Sequence, residues 1–540
     1  MLDAKPLWMD EVLTAIFSMG RRYANVPVQS LFAIADLHQF FSVQPGVSCS
    51  QIAQTVATES VHPPLFFCLM HRWMTWLHPD ANHWIWALRA FPALMGVGAI
   101  ATLYVLNRIA ISPAAGLMGA ALMAVSPFAV YLSQEARHYT LPMLLITLAL
   151  VGLVQIQQDI QSQRQLRPAI WIGWSVVNIL SLYVHYFCIL ALVAQLVALG
   201  IWMMWQRRRI QLRYWLAMGG AIATIVLSYL PWLPTVIGHF SRPETDWLIP
   251  HDPDWTTHIA PIYQTLTGWV LMVIALPVED QPLAIAIPAI LIMLVFSIWL
   301  TWQAIRGWKS LWRNPSVQPA VVLLSAFTLC VLAQFFAIVY ILNKDITVVP
   351  RYNFVYYPGV CALLGACLVQ PNRVSKGPLP WRRWGIVLLA GLISSALVVN
   401  DFVFQKPYNP ATVAQTMRLD RSTPMIMATS YRSLQEIALG LSFALELQRF
   451  YSDSAAAPIR FSFLDRRDGT APVWRSLATL PQPLPLPLNL WIVAPEIRKR
   501  DYPQTLKLAG EGGDRSATIC RLDPEEFHRL GFPYQLYRCS

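Results

Sequence analysis

Residues 169–206 read AIWIGWSVVNILSLYVHYFCILALVAQLVALGIWMMWQ. As a single α-helix at about 1.5 Å per residue this run is almost 60 Å long, roughly twice the ~30 Å hydrocarbon core of a bilayer. It therefore reads as two spans that turn near His185 and Tyr186, the polar pair at its centre. Outward from this hairpin, runs of about 20 apolar residues recur at 85–107, 114–132, 138–156, 214–236, 283–304, 319–342, 353–370 and 384–402. About ten spans result, so the chain is an all-α polytopic membrane protein.

Composition agrees. Hydrophobic residues make up 56% of the 540 and charged residues only 13%, against about 25% charged in a soluble protein. Mean hydropathy is +0.45. The 22 Trp and 19 Tyr suit the headgroup zone, where amphipathic rings accumulate. The first residues, MLDAKPLWMDE, hold no apolar stretch of the signal-peptide kind.

The net charge of +11 is a topology signal, because it is concentrated in alternate connections. Arg164 and Arg167 form one group, and Arg207, Arg208, Arg209 and Arg213 the next. Arg306, Lys309 and Arg313 follow, then Arg373, Lys376, Arg382 and Arg383. By the positive-inside rule these face the cytoplasm. The connection bearing Glu244, Asp246, Asp252, Asp254, Glu279 and Asp280 is acidic and lies outside. The alternation requires 261–276 and 63–78 (PPLFFCLMHRWMTWLH) to be interfacial or re-entrant helices, the second carrying His71 and Arg72. Nucleic acid is excluded as a partner, and the bilayer is the expected one.

Three regions follow: 1–84, an extracytoplasmic first loop with interfacial helices at 25–42 and 63–78; 85–404, the transmembrane domain; and 405–540, a small exported α/β domain. In the last, MIMATS and LNLWIV read as strands and SLQEIALGLSFALELQRF as a helix with apolar 3–4 spacing. The Pro-rich PQPLPLPL reads as a turn or linker. Cys68, Cys188, Cys330, Cys361 and Cys367 sit in apolar runs and read as small buried hydrophobes. Cys520 and Cys539 lie in the tail and, if it is exported, are a candidate disulfide.

Polar side chains cluster on the outer side. Asp10 and Glu11 open a helix-like stretch, LWMDEVLTAIFSMG. Adjacent carboxylates there act either as charge–dipole partners of a helix start or as a base or metal ligand above the membrane. Ser133, Gln134, Glu135, Arg137, His138 and Tyr139 close one span and open the next. Such groups at a membrane boundary must pair, as in a structural Glu–Arg pair, or line an aqueous cavity. A third group is Glu59, His62-Pro63-Pro64 and Arg89, and a fourth His185-Tyr186, Lys344, Asp345, Arg351 and Tyr352. An individual His or Arg here is more often a helix-end anchor than a catalyst. Together they supply cations suited to a phosphate and carboxylates suited to accept a hydroxyl proton.

Asp-Glu in the first loop, then HPPL, LRAFPALMG, SQEARHYTL and PRYNFVYYP, in that order, resemble a bacterial GT-C glycosyltransferase. The resemblance is to the dolichyl-phosphate-mannose protein mannosyltransferase and aminoarabinose transferase family (glycosyltransferase family 39-like), over most of residues 5–370. It implies transfer of a sugar from a polyprenyl-phosphate donor to an extracytoplasmic acceptor, inverting at the anomeric carbon, in the bacterial inner membrane. The family's first-loop acid falls on Asp10, beside Glu11, as base or organiser. Its second-loop acid falls on Glu135, with Arg137 and Tyr139 nearby. His62 matches a polar residue before Pro, close to the donor phosphate. Arg351 and Tyr352 match a late Arg-Tyr that neutralises that phosphate, and Arg89 and His185 belong to the same substrate-facing set. The second acid is Glu rather than Asp, which leaves use of a divalent metal open. Relatives begin with a span before the Asp loop, so either an eleventh span lies upstream of Met1, the favoured expectation, or this loop is held by packing alone.

A transporter or flippase for a lipid-linked or anionic substrate is the alternative, since buried ionisable groups serve transport too. Transporters place such groups near the midplane in paired halves; here they gather at one face. A non-catalytic assembly protein with a partner-binding tail is a third reading. The sugar and the acceptor are not legible.

Overall fold

Helix formation follows the apolar runs closely in the computed structural model, which describes residues 2–163, 165–206, 210–242, 248–249, 254–370, 381–418, 422–451, 458–480, 485–508 and 518–540. Among these, six helices are long and apolar enough to cross a membrane: Trp84–Ala110, Thr140–Gln161, Cys188–Trp205, Leu212–Phe240, Leu283–Trp312 and Gln318–Leu342. Pro113–Ala124 and Pro127–Ser133 qualify as a pair bent by 60°, and Pro168–Val184, Tyr357–Leu368 and Arg383–Val399 are shorter apolar helices. Each of the ten apolar segments thus corresponds to a helix or a helix pair.

Local chemistry sets the breaks. The hairpin turns at His185, whose extended backbone ends one helix before Cys188 opens the next. The bent pair breaks at Ser126-Pro127, because proline holds its predecessor out of the helical region. The Ser126 hydroxyl accepts from Ala129 N and donates to Met272 O at 2.6 Å, anchoring the break. Trp255–Leu271, started by an Asp254 cap, and Leu65–Leu77 fall short of the spanning helices in length and hydropathy. Arg164, Arg207, Arg208, Arg209, Glu244, Asp246, Asp252, Arg373 and Lys376, part of the Pro-rich linker (481–484) and the Arg382 side chain lie outside the described residues.

The chain forms two compact units. The first comprises Met1–Glu59, Phe67–Leu88 and Lys406–Ser540. Its centre is a seven-stranded sheet in the order β1-β3-β2-β4-β7-β6-β5. The strands are β1 (Phe32–Ala33), β2 (Met425–Tyr431), β3 (Ile459–Asp465), β4 (Leu488–Val493), β5 (Thr505–Leu508), β6 (Thr518–Leu530) and β7 (Phe532–Cys539). β3, β2 and β4 are parallel and joined through the helices Leu434–Phe450 and Thr470–Thr479. Strands covered on both faces read as unbroken apolar runs, as β2 and β4 do, being buried throughout. The helix Met9–Ser18 packs on Leu434–Phe450 with Val12, Ala15 and Ile16 fully buried.

Two expectations change here. Residues 25–42 are not an interfacial helix: the stretch holds the two-residue β1, one 3₁₀ turn (Ile34–Asp36) and the short helix Leu37–Phe40. Phe32 pairs with Phe461 across β3, and its ring stacks on Phe463 at 5.9 Å. Tertiary pairing with the sheet edge outweighs the weak local preference of a segment carrying Pro27. Cys68 is not a free buried hydrophobe either. It forms a disulfide with Cys49, joining the helices Cys49–Glu59 and Leu65–Leu77. Cys520 and Cys539 are also bonded, across the register of β6 and β7. Cys188, Cys330, Cys361 and Cys367 are free thiols.

The second unit is Ser60–Phe66 with Arg89–Gln405. Its helices approach closely where small residues face each other. A Cβ on Gly307 would lie 2.2 Å from the Cys367 carbonyl oxygen, and one on Gly365 would lie 2.6 Å from Gly119 Cα. Between these helices Asn107 donates to the Ala115 and Ala362 carbonyls at 3.2 and 3.0 Å.

Candidate functional site

The second unit gathers its buried ionisable groups where the spanning helices end. Gln134–Tyr139 connects the bent pair to Thr140–Gln161 and is pulled tight by an Arg137 N–H bond to Glu135 O at 2.7 Å. Glu135, Arg137, His138 and Tyr139 are all buried. Tyr139 is the hub. The Arg137 guanidinium lies 5.7 Å from its ring centre and that of Arg351 5.9 Å. Both are at cation–π range, and the two guanidinium groups are no farther apart than the sum of those distances. Arg351 arrives on the short 3₁₀ helix Pro350–Val355, started by a proline at its first position.

Imidazoles complete the cluster. His62 lies 4.5 Å from His138, ring centre to ring centre, and His138 lies 4.8 Å from His185. His185 also meets Tyr139 at 6.0 Å, Phe354 at 4.8 Å and Tyr352 at 6.4 Å. His62 is held by its loop: Nδ1 is 3.1 Å from Ser60 Oγ, and Arg242 donates to the Ser60 carbonyl at 2.9 Å. Burial, reinforced by Arg137 and Arg351, pushes the His62 and His138 pKa values well below the usual histidine value. Burial and Arg137 lower His185 to about 3. The imidazoles are therefore neutral at physiological pH, and the fixed positive charge belongs to arginine, which stays protonated. A neutral imidazole next to guanidinium groups donates or accepts a hydrogen bond without adding a repelling charge.

Of the expected site residues, Arg137, Tyr139, His62, His185, Arg351 and Tyr352 converge in this cluster. Arg89 and Glu135 are buried in the same unit. Asp10 and Glu11 belong to the first unit, in the first turn of Met9–Ser18 and almost fully buried. Beside them the Tyr408 hydroxyl accepts from Met9 N at 2.6 Å, and Lys406 Nζ stands 4.2 Å from the Trp8 ring centre. Two of the accompanying acids have structural roles. Glu59 binds Arg22 at 3.1 Å and the Tyr23 N–H at 2.7 Å. Asp345 caps the turn at Ile346 through Thr347 N.

Sequence reasoning overlooked His239, Phe354 and Tyr408. His239 closes the helix Leu212–Phe240 and sits 2.8 Å from the Tyr186 hydroxyl, and its charged form would bear on His62. The signal was a polar HFSR directly after an apolar run. Phe354 lay inside the quoted PRYNFVYYP but was not singled out, and Tyr408 carried no signal. Among the described residues, no three His, Cys, Asp or Glu side chains are grouped to hold a metal ion.

No protein-family model and no curated protein matches the sequence. Solved structures do. ArnT, the aminoarabinose transferase of Cupriavidus metallidurans, bound to undecaprenyl phosphate, aligns over 98% of this chain and 96% of its own, at 10% identity and a TM-score of 0.50. Its apo form aligns over 97% and 96%, at 9% identity and a TM-score of 0.50. The Archaeoglobus fulgidus oligosaccharyltransferase tethered to an acceptor peptide aligns over 80% of this chain and 62% of its own, at 12% identity and a TM-score of 0.41. From its spanning helices to its strand-containing tail, this chain has the fold of a GT-C glycosyltransferase of the ArnT kind.

Proposed function

We propose that this protein is a membrane glycosyltransferase that moves a sugar from a polyprenyl-phosphate donor to a hydroxyl-bearing acceptor at the outer face of a bacterial inner membrane. The observation that carries the reading is the pair of guanidinium groups, buried Arg137 and half-buried Arg351, about the Tyr139 ring at the ends of apolar helices. A lipid-linked phosphate needs permanent positive charge at membrane depth, and arginine binds phosphate in a bidentate fork. The full-length fold match to a protein solved with undecaprenyl phosphate supports the same ligand class.

The bond between the anomeric carbon and the phosphate oxygen breaks, and its electron pair remains on the phosphate. Arg137 and Arg351 balance the charge that develops there, while His62 and His185 offer neutral donors. The acceptor oxygen forms its bond to the anomeric carbon from the opposite side, inverting the centre, and its proton passes to a carboxylate. Asp10 is assigned that proton and Glu135 the organisation of the cationic loop. Donors placed where charge develops in a transition state contribute about 3–4 kcal/mol each. The Arg and Lys distribution of the loops supports an outward site. The disulfides Cys49–Cys68 and Cys520–Cys539 support an extracytoplasmic first loop and tail, respectively.

The test is transfer from radiolabelled polyprenyl-phosphate sugars by purified protein with membrane extract, comparing wild type with Asp10→Asn and Glu135→Gln. Asp10→Asn is expected to abolish nearly all transfer with folding intact. Unchanged transfer in that variant removes the assigned role. Substrate flux across liposomes with no donor consumed would replace the transferase reading by transport.

A further inference from the structure

The first unit contains a cleft of about 600 Å³ built wholly from its own residues, a volume typical of small-molecule sites. Its floor is apolar. Phe41 and Trp84 stack at 5.1 Å with 23° between their planes, Trp84 remaining half-buried, and Met74 and Leu445 flank them. Its rim is polar and mostly acidic. The polar lining carries three carboxylates, Asp3, Asp80 and Glu446, one guanidinium, Arg449, and the imidazoles of His38 and His78. Glu446 is 4% exposed, and Arg449 Nη1 reaches both of its carboxylate oxygens at 3.2 and 3.4 Å.

Short-range bonds hold the walls. His78 ends the helix Leu65–Leu77 in the left-handed region, at φ +46°, donating to Met74 O. Asp80 Oδ1 then accepts from the Asn82 and His83 backbone N–H groups at 3.0 and 2.9 Å, starting the helix Trp84–Ala110. The edge of the cleft is thus preorganised, which reduces the cost of binding.

The lining excludes most ligand classes. Three carboxylates against one guanidinium repel a phosphate or nucleotide. No group of three metal-ligating side chains occurs among the described residues. An acyl chain would take the exposed part of the Arg449 guanidinium out of water and offer it no hydrogen-bond acceptor, and burying polar groups unmatched is costly. An uncharged ligand with both an apolar face and many hydroxyls fits. One face of a pyranose ring presents C–H bonds to an aromatic plate, while its hydroxyls bond carboxylates and guanidinium at the rim.

We infer that this cleft binds a neutral saccharide through the Trp84 ring, with Glu446 and Arg449 bonding its hydroxyls. As the seat for the sugar portion of an acceptor, the cleft rests on the transferase reading above; as a saccharide site it stands without it.

The experiment is tryptophan fluorescence and saturation-transfer NMR of the purified full chain with maltotetraose, chitotetraose and xylotetraose, and with lysophosphatidylcholine as an acyl probe. At least one tetrasaccharide is expected to bind saturably. Trp84→Ala is expected to weaken binding 10-fold or more, Trp84→Phe to stay within about 3-fold of wild type, and Glu446→Gln to weaken it about 5-fold. Thermal midpoints within a few degrees of wild type confirm that the variants fold. No saturable binding by any tetrasaccharide, or lysophosphatidylcholine binding that Trp84→Ala abolishes while sugars do not compete, overturns the inference. Donor consumption is measured in parallel. Sugar binding without donor consumption would sink the transferase reading alone, and donor consumption without sugar binding would sink the cleft alone.

Discussion

The ring of His62 lies 4.5 Å from the ring of His138, in a cluster that also holds Arg137, Arg351 and His185. Two imidazoles that close, beside two guanidinium groups, are stable together only when neutral. The cluster therefore separates two roles: arginine supplies charge at every physiological pH, and histidine supplies hydrogen bonds.

Acidification should destabilise the protein through these histidines. Their pKa values in the fold lie below the ordinary 6.5, that of His185 at about 3. Below pH 6.5 the unfolded chain consequently binds more protons than the folded one, and stability falls with pH. The loss approaches about 1.4 kcal/mol per pH unit for each imidazole that stays neutral. The thermal midpoint is expected to be flat above pH 7 and to fall from pH 6.5 to 4, less steeply in His138→Gln. A midpoint independent of pH would show that the rings do not resist protonation.

Loss of either guanidinium should cost ligand affinity. Removing one partner of a buried charge pair costs about 2–5 kcal/mol, so Arg351→Ala is expected to weaken undecaprenyl phosphate binding by roughly 30-fold or more. Arg351→Lys should recover part of it, because lysine restores the charge without the fork. Microscale thermophoresis in detergent measures both. Equal affinity in wild type and Arg351→Ala removes Arg351 from the phosphate site.

Peptide mapping without reductant should recover Cys49–Cys68 and Cys520–Cys539 as linked pairs, with the buried thiols Cys188, Cys361 and Cys367 alkylated only after unfolding. Opening a loop of this size costs about 3 kcal/mol, and Cys68→Ser should lower the thermal midpoint accordingly. Alkylation of Cys68 in the native, unreduced protein would contradict the pairing.

Helix packing gives a sharp contrast between two glycines. Gly307→Ala brings a methyl group against the Cys367 carbonyl, whereas a Cβ on Gly200 meets nothing within 4 Å. Overpacking costs about 1–3 kcal/mol, while replacing a helical glycine that has open space beside it gains about 0.5–1 kcal/mol. Thermal unfolding should order the variants Gly200→Ala, wild type, Gly307→Ala from most to least stable. The reverse order would mean that these helices do not approach as described.

Legibility varied with how local the cause was. The hairpin at His185, the break at Ser126-Pro127 and the helix Leu434–Phe450 follow from run length, proline and apolar spacing, all readable along the chain. Arg137, Tyr139, Arg351 and Tyr352 were legible as a set because polar groups at span ends must be satisfied. Cys68 was misread because its apolar neighbours give no sign of Cys49 across the turn. Residues 25–42 were misread because their two-residue strand exists only by pairing with β3.

The sequence alone determined that the chain is a bundle of apolar helices with an α/β tail and polar groups at helix ends. Those properties rest on the length of apolar runs and the bias of Lys and Arg, which are one-dimensional quantities. Only tertiary structure decided that His62, His138 and His185 meet, the last two against the Tyr139 ring. It likewise decided that Phe32 completes a sheet made by residues beyond 424, and that Phe41 and Trp84 floor a cleft. These relationships depend on which helix faces pack and at what distance, and side-chain volumes far apart in the chain set that jointly.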